Sequence, residues 1–266
     1  MGETFKNPPL LEIIAELRWA APSMPSPPIP MPVVPQASGP FDEAFMRFAA
    51  KVGALGYERV ERLVPYGFPM MPYDPVVRLR PKTGVEDSTL YQIGAYMFSA
   101  NAIPPYKSWD DFAPKVREGV RVLLESRVEK DAKAPVLVSL RYLDAFREDL
   151  TDGKPLVSFL AEAFGITLGL PAAIQSQCAE GKVITPAIQM SVPIGFGTMN
   201  LSIAEGEVDK QPAVIMDTSV SFAEATPPEV DQIMEGFGKA REVIHDVFVG
   251  LTQSLADRMK AEGVKA

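Results

Sequence analysis

Two short segments of this chain match each other, and the match constrains the fold more than any other feature of the sequence. Glu16-Leu17-Arg18-Trp19 and Ser139-Leu140-Arg141-Tyr142 each end a run of residues typical of strands. Each is followed by a helical pattern, further strands and an amphipathic helical pattern. The repetition predicts one β-α-β-β-α unit that is used twice. Two unrelated halves that share a short strand ending remain the alternative.

The repeated order predicts an α+β protein, with antiparallel sheets that carry helices on one face. We expect a first lobe over residues 1–130 and a second over 131–266, which ends in a long amphipathic helix. A chain of 266 residues can build a core without disulfides or metal. Its single cysteine, Cys178, excludes an internal disulfide.

Hydrophobic spacing and turn residues place the main elements. Strands are predicted over 10–19, 76–80, 90–99, 183–192, 198–204 and 213–222, and from residue 136 onward. For 10–19 a helix is the alternative. Ser108 with Asp111 predicts a capping box at the start of one helix. Thr226 is the predicted N-cap of the last helix, with Pro227 in its first turn. The apolar stripe of that helix predicts a length beyond thirty residues.

Two loops rich in proline and methionine stand out. Eight of the twenty residues from 21 to 40 are proline, which favours an extended loop over helix or sheet. This insertion is too apolar for a free linker, so we expect it to lie against protein. With the loop 66–73 it predicts an adaptable binding surface, unless one loop simply folds over the other. The predicted surface residues are Met24, Ile29, Met31, Phe68, Met70, Met71 and Tyr73.

A polar site is a second prediction. Glu12, Glu16 and Arg18 alternate along the first strand and therefore share one face. Arg141 occupies the position in the second copy that Arg18 occupies in the first. These four residues could line a cleft between the lobes and hold a polar ligand. Salt bridges on a solvated sheet face are the alternative interpretation.

Several function classes have little support in this sequence. The net charge of -8 is unfavourable for binding nucleic acid. No signal peptide or membrane span is predicted, so we expect a cytoplasmic protein. One histidine and one cysteine cannot form a zinc site, and no glycine-rich phosphate loop is present, so we predict no metal and no cofactor. His245 has no evident nucleophile to activate, so we predict no catalytic residue.

Three groups of residues occur in a recognisable order. The first is Asn7-Pro8-Pro9-Leu10 with Glu12 and Glu16, and the second runs from Tyr91-Gln92-Ile93-Gly94 to Asn101, Tyr106 and Trp109. The third pairs His245 with Phe248. This order resembles an uncharacterised, sporadically distributed family of bacterial and archaeal proteins, from whose pattern the insertion at 21–40 departs. The resemblance implies no activity. It implies structural roles for Asn101, Tyr106, Trp109, His245 and Phe248.

These observations favour a non-enzymatic protein that binds another protein chain, including itself as a homodimer or larger species. The patchy occurrence of the family resembles that of accessory genes in mobile or defence-type clusters. The alternative is a small-molecule-binding effector or sensor module with its ligand cleft between the two lobes.

Overall fold

The computed structural model describes residues 4–5, 8–20, 39–83, 88–105, 108–259 and 261–262. Four residues of the predicted sites, Met24, Ile29, Met31 and Tyr106, therefore lie outside the described residues. The same is true of the proline-rich segment from 21 to 38. The predictions made for these residues stay predictions.

Strands and helices follow one another along the whole chain. The strands are β1 (Thr4–Phe5), β2 (Leu10–Arg18), β3 (Arg59–Arg62), β4 (Pro75–Arg80), β5 (Thr89–Gly94), β6 (Met97–Ala102), β7 (Leu137–Phe146), β8 (Ile188–Ile194), β9 (Gly197–Val208), β10 (Gln211–Phe222) and β11 (Ala261–Glu262). The helices are α1 (Pro40–Gly53), α2 (Trp109–Ser126), α3 (Glu148–Thr151), α4 (Leu156–Ala163), α5 (Ala172–Gln175), α6 (Val230–Thr252) and α7 (Ala256–Met259).

Nine of these strands form one antiparallel sheet, so the predicted α+β class is confirmed. The chain divides into two compact units. The N-terminal unit contains 13–140 and 221–239, and the C-terminal unit contains 1–12, 141–220 and 240–266. Each unit therefore draws on both of the predicted lobes, 1–130 and 131–266. Among the described residues, no helix is long and apolar enough to cross a bilayer.

The N-terminal unit packs two helices against one face of its strands. Its strand order is β3-β4-β5-β6-β2, and α1 and α2 contact β5 on one side of the sheet. Aromatic rings fill this interface, with Phe48 edge-on to both Tyr91 and Phe98. Gly119 lets α2 approach closely, because a Cβ there would lie 2.6 Å from the Tyr91 ring. The aromatic residues of this region are therefore part of a hydrophobic core.

The C-terminal unit has the strand order β7-β10-β9-β8. Its core joins β7, β9 and β10 to α4 and to the end of the chain. Three phenylalanines, Phe146, Phe159 and Phe164, contact one another at centroid distances of 5.0–5.8 Å. Met216 and Met259 are buried in the same cluster. Hydrophobic spacing predicts a helix in this half that buries Leu156, Phe159, Leu160 and Ala163; the first three are buried on α4 and Ala163 is partly buried.

The N-terminal unit holds more strands than the repeat predicts. The predicted strand 90–99 is a hairpin, β5 and β6, which reverses at Ala95 and Tyr96. Tyr96 adopts a positive φ of 65° there. The residues at the reversal, Ala95 and Tyr96, are buried and not polar, so apart from Gly94 no turn signal marks it. The strand β3 was also not predicted, because residues 59–62 are short and mostly charged.

The predicted helix boundaries have mixed outcomes. Ser108 is confirmed as the N-cap of α2, since its hydroxyl accepts a hydrogen bond from the Asp111 N–H. The predicted cap at Thr226 is wrong, because Thr226 exchanges two backbone hydrogen bonds with Val136 and α6 begins at Val230. The predicted length of the last helix is also wrong. It ends at Thr252, whose hydroxyl donates back to the Phe248 carbonyl.

Candidate functional site

Three highly exposed apolar side chains of the N-terminal unit lie in the loop between β3 and β4. We call residues 63–74 the aromatic loop. Tyr66, Phe68 and Met71 are 70%, 64% and 61% exposed. Met70 and Tyr73 are partly buried. Isolated exposed apolar residues are common, but three in one short loop form a patch, and such patches mark binding surfaces.

Backbone hydrogen bonds hold the aromatic loop at both ends. The Leu63 N–H donates to the Val76 carbonyl at 2.8 Å, and the Tyr73 N–H donates to the Ala95 carbonyl at 2.8 Å. Tyr73 adopts a positive φ of 71° at the second of these contacts. The loop therefore presents its rings from a backbone that the neighbouring strands fix in place.

Arginine side chains also support the loop. The guanidinium carbon of Arg62 lies 3.7 Å from the centroid of the Tyr66 ring, and Arg62 pairs with Asp42 on α1 at 2.8 Å. The Arg18 guanidinium carbon lies 5.5 Å from the Tyr73 centroid. Such contacts orient aromatic rings without burying them. Part of the predicted interaction surface is thus ordered and exposed.

Three of the four predicted polar residues, Glu16, Arg18 and Arg141, form ion pairs within their own unit. Arg18 pairs with Glu16 at 2.7 Å in the N-terminal unit. Arg141 makes a two-bond contact with Asp217 in the C-terminal unit, with Nε donating at 2.7 Å and Nη2 at 2.5 Å. Glu12 is partly buried on β2. The cleft between lobes that these residues were predicted to line stays a prediction.

A row of polar side chains crosses the sheet of the N-terminal unit, on the face opposite the helices. Ser99 lies opposite Glu16 on one side and opposite Gln92 on the other. The row continues through Arg78, whose Nε donates to Gln92 Oε1 at 3.2 Å, and then to Glu61. Glu16 therefore lies at the end of a cross-strand row of polar side chains, a kind of arrangement that stabilises a sheet surface.

The described residues to which the resemblance assigns structural roles are buried or partly buried. Asn101 is buried on β6 and accepts a hydrogen bond from Ser99 Oγ at 2.8 Å. Trp109 opens α2 and packs edge-on against Phe112 at 5.9 Å. His245 and Phe248 are partly buried on α6. Cys178 is partly buried, and its thiol donates to the Lys182 carbonyl.

Asp144 on β7 is a buried acid that sequence reasoning missed. It is 3% exposed, and burial together with the charge of Asp217 raises its pKa from 3.8 to about 8. Burial disfavours the charged carboxylate, so the neutral acid is favoured. The signal was visible in the sequence, because strand alternation sets Asp144 in line with Leu140 and Phe146, two apolar positions.

A second buried charge lies at the end of α2. Arg127 stacks over the Trp19 ring at 4.5 Å, and its Nη1 donates to the Ala134 carbonyl at 2.9 Å. Burial lowers the pKa of Arg127 to about 10, and the nearby Asp131 opposes this shift. Within the described part of the chain, Arg127 Nε and Nη2, Trp19 Nε1 and Ser126 Oγ meet no hydrogen-bonding partner.

The C-terminal unit contains a surface cavity of about 710 Å³. Its wall combines the start of α3 with β9, β10 and the segment around Val183. The lining includes both charges and apolar groups: Arg147, Glu148, Asp149, Lys154, Glu205, Gln211, Pro212 and Val214. A cavity of this size and mixed polarity can accept a small polar molecule.

In the described ranges, no group of three or more His, Cys, Asp or Glu side chains is arranged to bind a metal ion. Comparisons of the chain with protein-family models, with curated proteins and with solved structures found no match.

Proposed function

We propose that this chain is a non-enzymatic protein that acts by binding another protein chain, including a second copy of itself. The observation that carries the proposal is the aromatic loop. Its tyrosine, phenylalanine and methionine side chains are of the types that dominate the energetics of protein interfaces. Their high exposure leaves a large apolar area available for burial in a complex.

The energetics of this surface favour association. Burial of Tyr66, Phe68 and Met71 would contribute about 1.5–3 kcal/mol each. Because the loop is held by hydrogen bonds to Val76 and Ala95, little conformational entropy is lost when a partner binds. A surface that is both apolar and ordered before binding supports recognition of a protein partner.

Sedimentation velocity over a concentration series tests the proposal. We expect the wild-type protein to exceed a mass of 29.0 kDa at micromolar concentration, and Phe68→Ser with Met71→Ser to reduce that association. The control is Val183→Ser, which removes an equally exposed apolar side chain from the C-terminal unit. Equal association of the loop variant and the control would contradict the role given to the loop.

The proposed biological setting is an accessory component of a mobile or defence-type gene cluster, in the cytoplasm. The support is the resemblance carried by Asn7-Pro8-Pro9-Leu10 and the later motif residues. The identities of the neighbouring genes test this setting. Genes of mobile elements or of defence systems beside this one would support it, and a constant housekeeping neighbourhood would contradict it.

We also propose that the two halves of the chain, 1–130 and 131–266, are copies of one ancestral β-α-β-β-α unit. In each half the first long strand pairs with the last, as β2 does with β6 and β7 with β10. In each, a helix follows the first strand and a long helix follows the last. An experimental structure tests the proposal: superposition of β2-β6-β5-β4 on β7-β10-β9-β8 should set Trp19 on Tyr142 and Arg18 on Arg141.

A second candidate function is the binding of a small polar molecule. The cavity of about 710 Å³ in the C-terminal unit favours it. A thermal-shift screen with polar metabolites would detect such a ligand, and Arg147→Ala should abolish the shift because Arg147 lines the cavity. Arg117→Ala, a similarly exposed arginine on α2, is the control. A shift that survives Arg147→Ala would contradict binding at this cavity.

A further inference from the structure

Strand β3 is the terminal strand of the sheet and is poorly covered. Among the strands that the structure describes, it stands at the end of the order, next to β4 alone. Val60, at its centre, is 57% exposed, and Arg59 and Glu61 are also exposed. A terminal strand with an exposed apolar residue can pair with a strand from another chain.

The backbone of β3 is oriented for such pairing. Glu61 lies opposite Arg78 in an antiparallel register. If this register continues by two residues, Leu63 lies opposite Val76, and the two pairs are of the same hydrogen-bonding type. The Leu63 N–H donates to the Val76 carbonyl. Because hydrogen-bonded and non-bonded pairs alternate along an antiparallel ladder, the N–H and C=O of Val60 point away from β4. The strand therefore offers unpaired backbone groups centred on Val60.

The side chains along this edge are self-complementary. The sequence is Glu58-Arg59-Val60-Glu61-Arg62. If two copies pair antiparallel about Val60, each Arg59 lies opposite Glu61 of the other copy, and each Glu58 lies opposite Arg62. Val60 then meets Val60 at the twofold axis. Four opposite-charge pairs and one apolar pair arise from five residues, and no like charges face each other.

We propose that two copies of this chain associate through β3, in an antiparallel pair centred on Val60. The proposal rests on the proposed function and names the partner and the pairing register. Among the described residues Arg59 forms no ion pair within its own chain. Pairing about Val60 provides its acidic partner. The same register brings the aromatic loop of one copy beside residues 55–57 of the other, where Leu55 is exposed.

Exchange of charge at two positions tests the register. Arg59→Glu leaves only acidic side chains at 59 and 61, and Glu61→Arg leaves only basic ones. Each variant alone would set like charges opposite each other twice, so we expect its dimer Kd to rise about tenfold. A mixture of the two variants restores opposite charges at both places and should dimerise like the wild type. Thermal melts of both variants are the control that shows whether they fold.

The outcomes separate this inference from the proposed function. Restored dimerisation in the mixture supports pairing about Val60. A wild-type protein that stays at 29.0 kDa, single variants that dimerise normally, or a mixture that stays monomeric would each overturn it. If Phe68→Ser abolishes association while Arg59→Glu does not, then the aromatic loop mediates the association of two copies and β3 does not. The reverse result keeps the β3 pair and rejects the role of the loop.

Discussion

At the scale of single residues, two of the buried charged groups of the described chain have strongly shifted pKa values. Asp144 and Arg127 are both shifted toward their neutral forms by burial. They differ in their surroundings. Arg127 has a carbonyl partner and an aromatic face. Asp144 instead lies near the charge of Asp217, which raises its pKa further. The cost of charging Asp144 therefore makes stability depend on pH.

We predict that the free energy of unfolding falls as pH rises from about 4 to 8. The pKa of Asp144 is raised from 3.8 to about 8, so the folded chain holds one more proton than the unfolded chain between these values. The stabilisation is fully present below the lower pKa and is lost as pH passes the higher one, at a slope of at most about 1.4 kcal/mol per pH unit. Asp144→Asn should flatten the dependence and raise stability at pH 8.

Urea titrations at several pH values measure this dependence. Asp257→Asn, which changes an exposed carboxylate on α7, is the matched control and should keep the wild-type slope. A slope in the Asp144→Asn variant equal to that of the wild type would show that another group causes it.

At the scale of elements, α2 illustrates how local and tertiary factors combine. Its start depends on Ser108, and its position depends on Gly119, which faces Tyr91 and Phe98. The cap is encoded locally, because an N-cap serine accepts its hydrogen bond from a backbone N–H in the first turn that follows it. The close approach at Gly119 is tertiary, because nothing in the helix itself requires a glycine there.

We predict that Gly119→Ala destabilises the protein by about 1–3 kcal/mol, although alanine favours helix. The added Cβ would lie 2.6 Å from the Tyr91 ring and 2.9 Å from the Phe98 ring, so the helix or the rings must move. Gly238→Ala on α6 is the matched control. Among the described residues, no atom beyond the local backbone of the helix lies within 4 Å of a Cβ at that position, and the change should stabilise by about 0.5–1 kcal/mol. Thermal unfolding of both variants measures the difference in sign.

We predict that Ser108→Ala lowers the free energy of unfolding by about 1 kcal/mol. The variant loses the bond from the Asp111 N–H and the bond that the hydroxyl donates to Asp111 Oδ2 at 2.8 Å. Ser108→Thr keeps the hydroxyl and should retain most of the stability. Chemical denaturation of the two variants is the measurement, and equal losses would argue against capping.

At the scale of the whole molecule, burial is unevenly distributed along the chain. Every residue of β6 is buried, whereas nearly all residues from 171 to 187 are exposed and only α5, one helical turn, lies among them. Regions with few buried contacts open at low free-energy cost, and central strands open only with global unfolding. Local stability should therefore vary strongly within one chain.

We predict that backbone amides of β6 exchange with deuterium most slowly and that those of 171–187 exchange fastest. The physical reason is that β6 is hydrogen-bonded to β2 and β5 on its two sides. The amides of 171–187 lie in turns and short helical segments. Hydrogen-exchange mass spectrometry with peptide resolution measures both. Protection of 171–187 comparable to that of β6 would contradict this order.

Sequence alone determined the features that depend on neighbouring residues. The α+β class, the strand at Leu10–Arg18, the cap at Ser108 and the apolar face of α4 follow from periodicity and local hydrogen bonding. The exposed aromatic loop was also predictable, because its prolines disfavour sheet and its side chains are apolar. The charge pattern from Glu58 to Arg62 was equally visible in the sequence, but its meaning requires knowing that β3 ends the sheet.

Only the tertiary structure decided the features that depend on distant partners. The reversal at Tyr96, the pairing of Thr226 with Val136 and the end of α6 at Thr252 contradict local signals. The edge position of β3 and the burial of Asp144 likewise arise from packing. Hydrogen bonds between distant strands and exclusion of water from a core contribute more free energy than a turn or cap preference, so they override it where the two conflict.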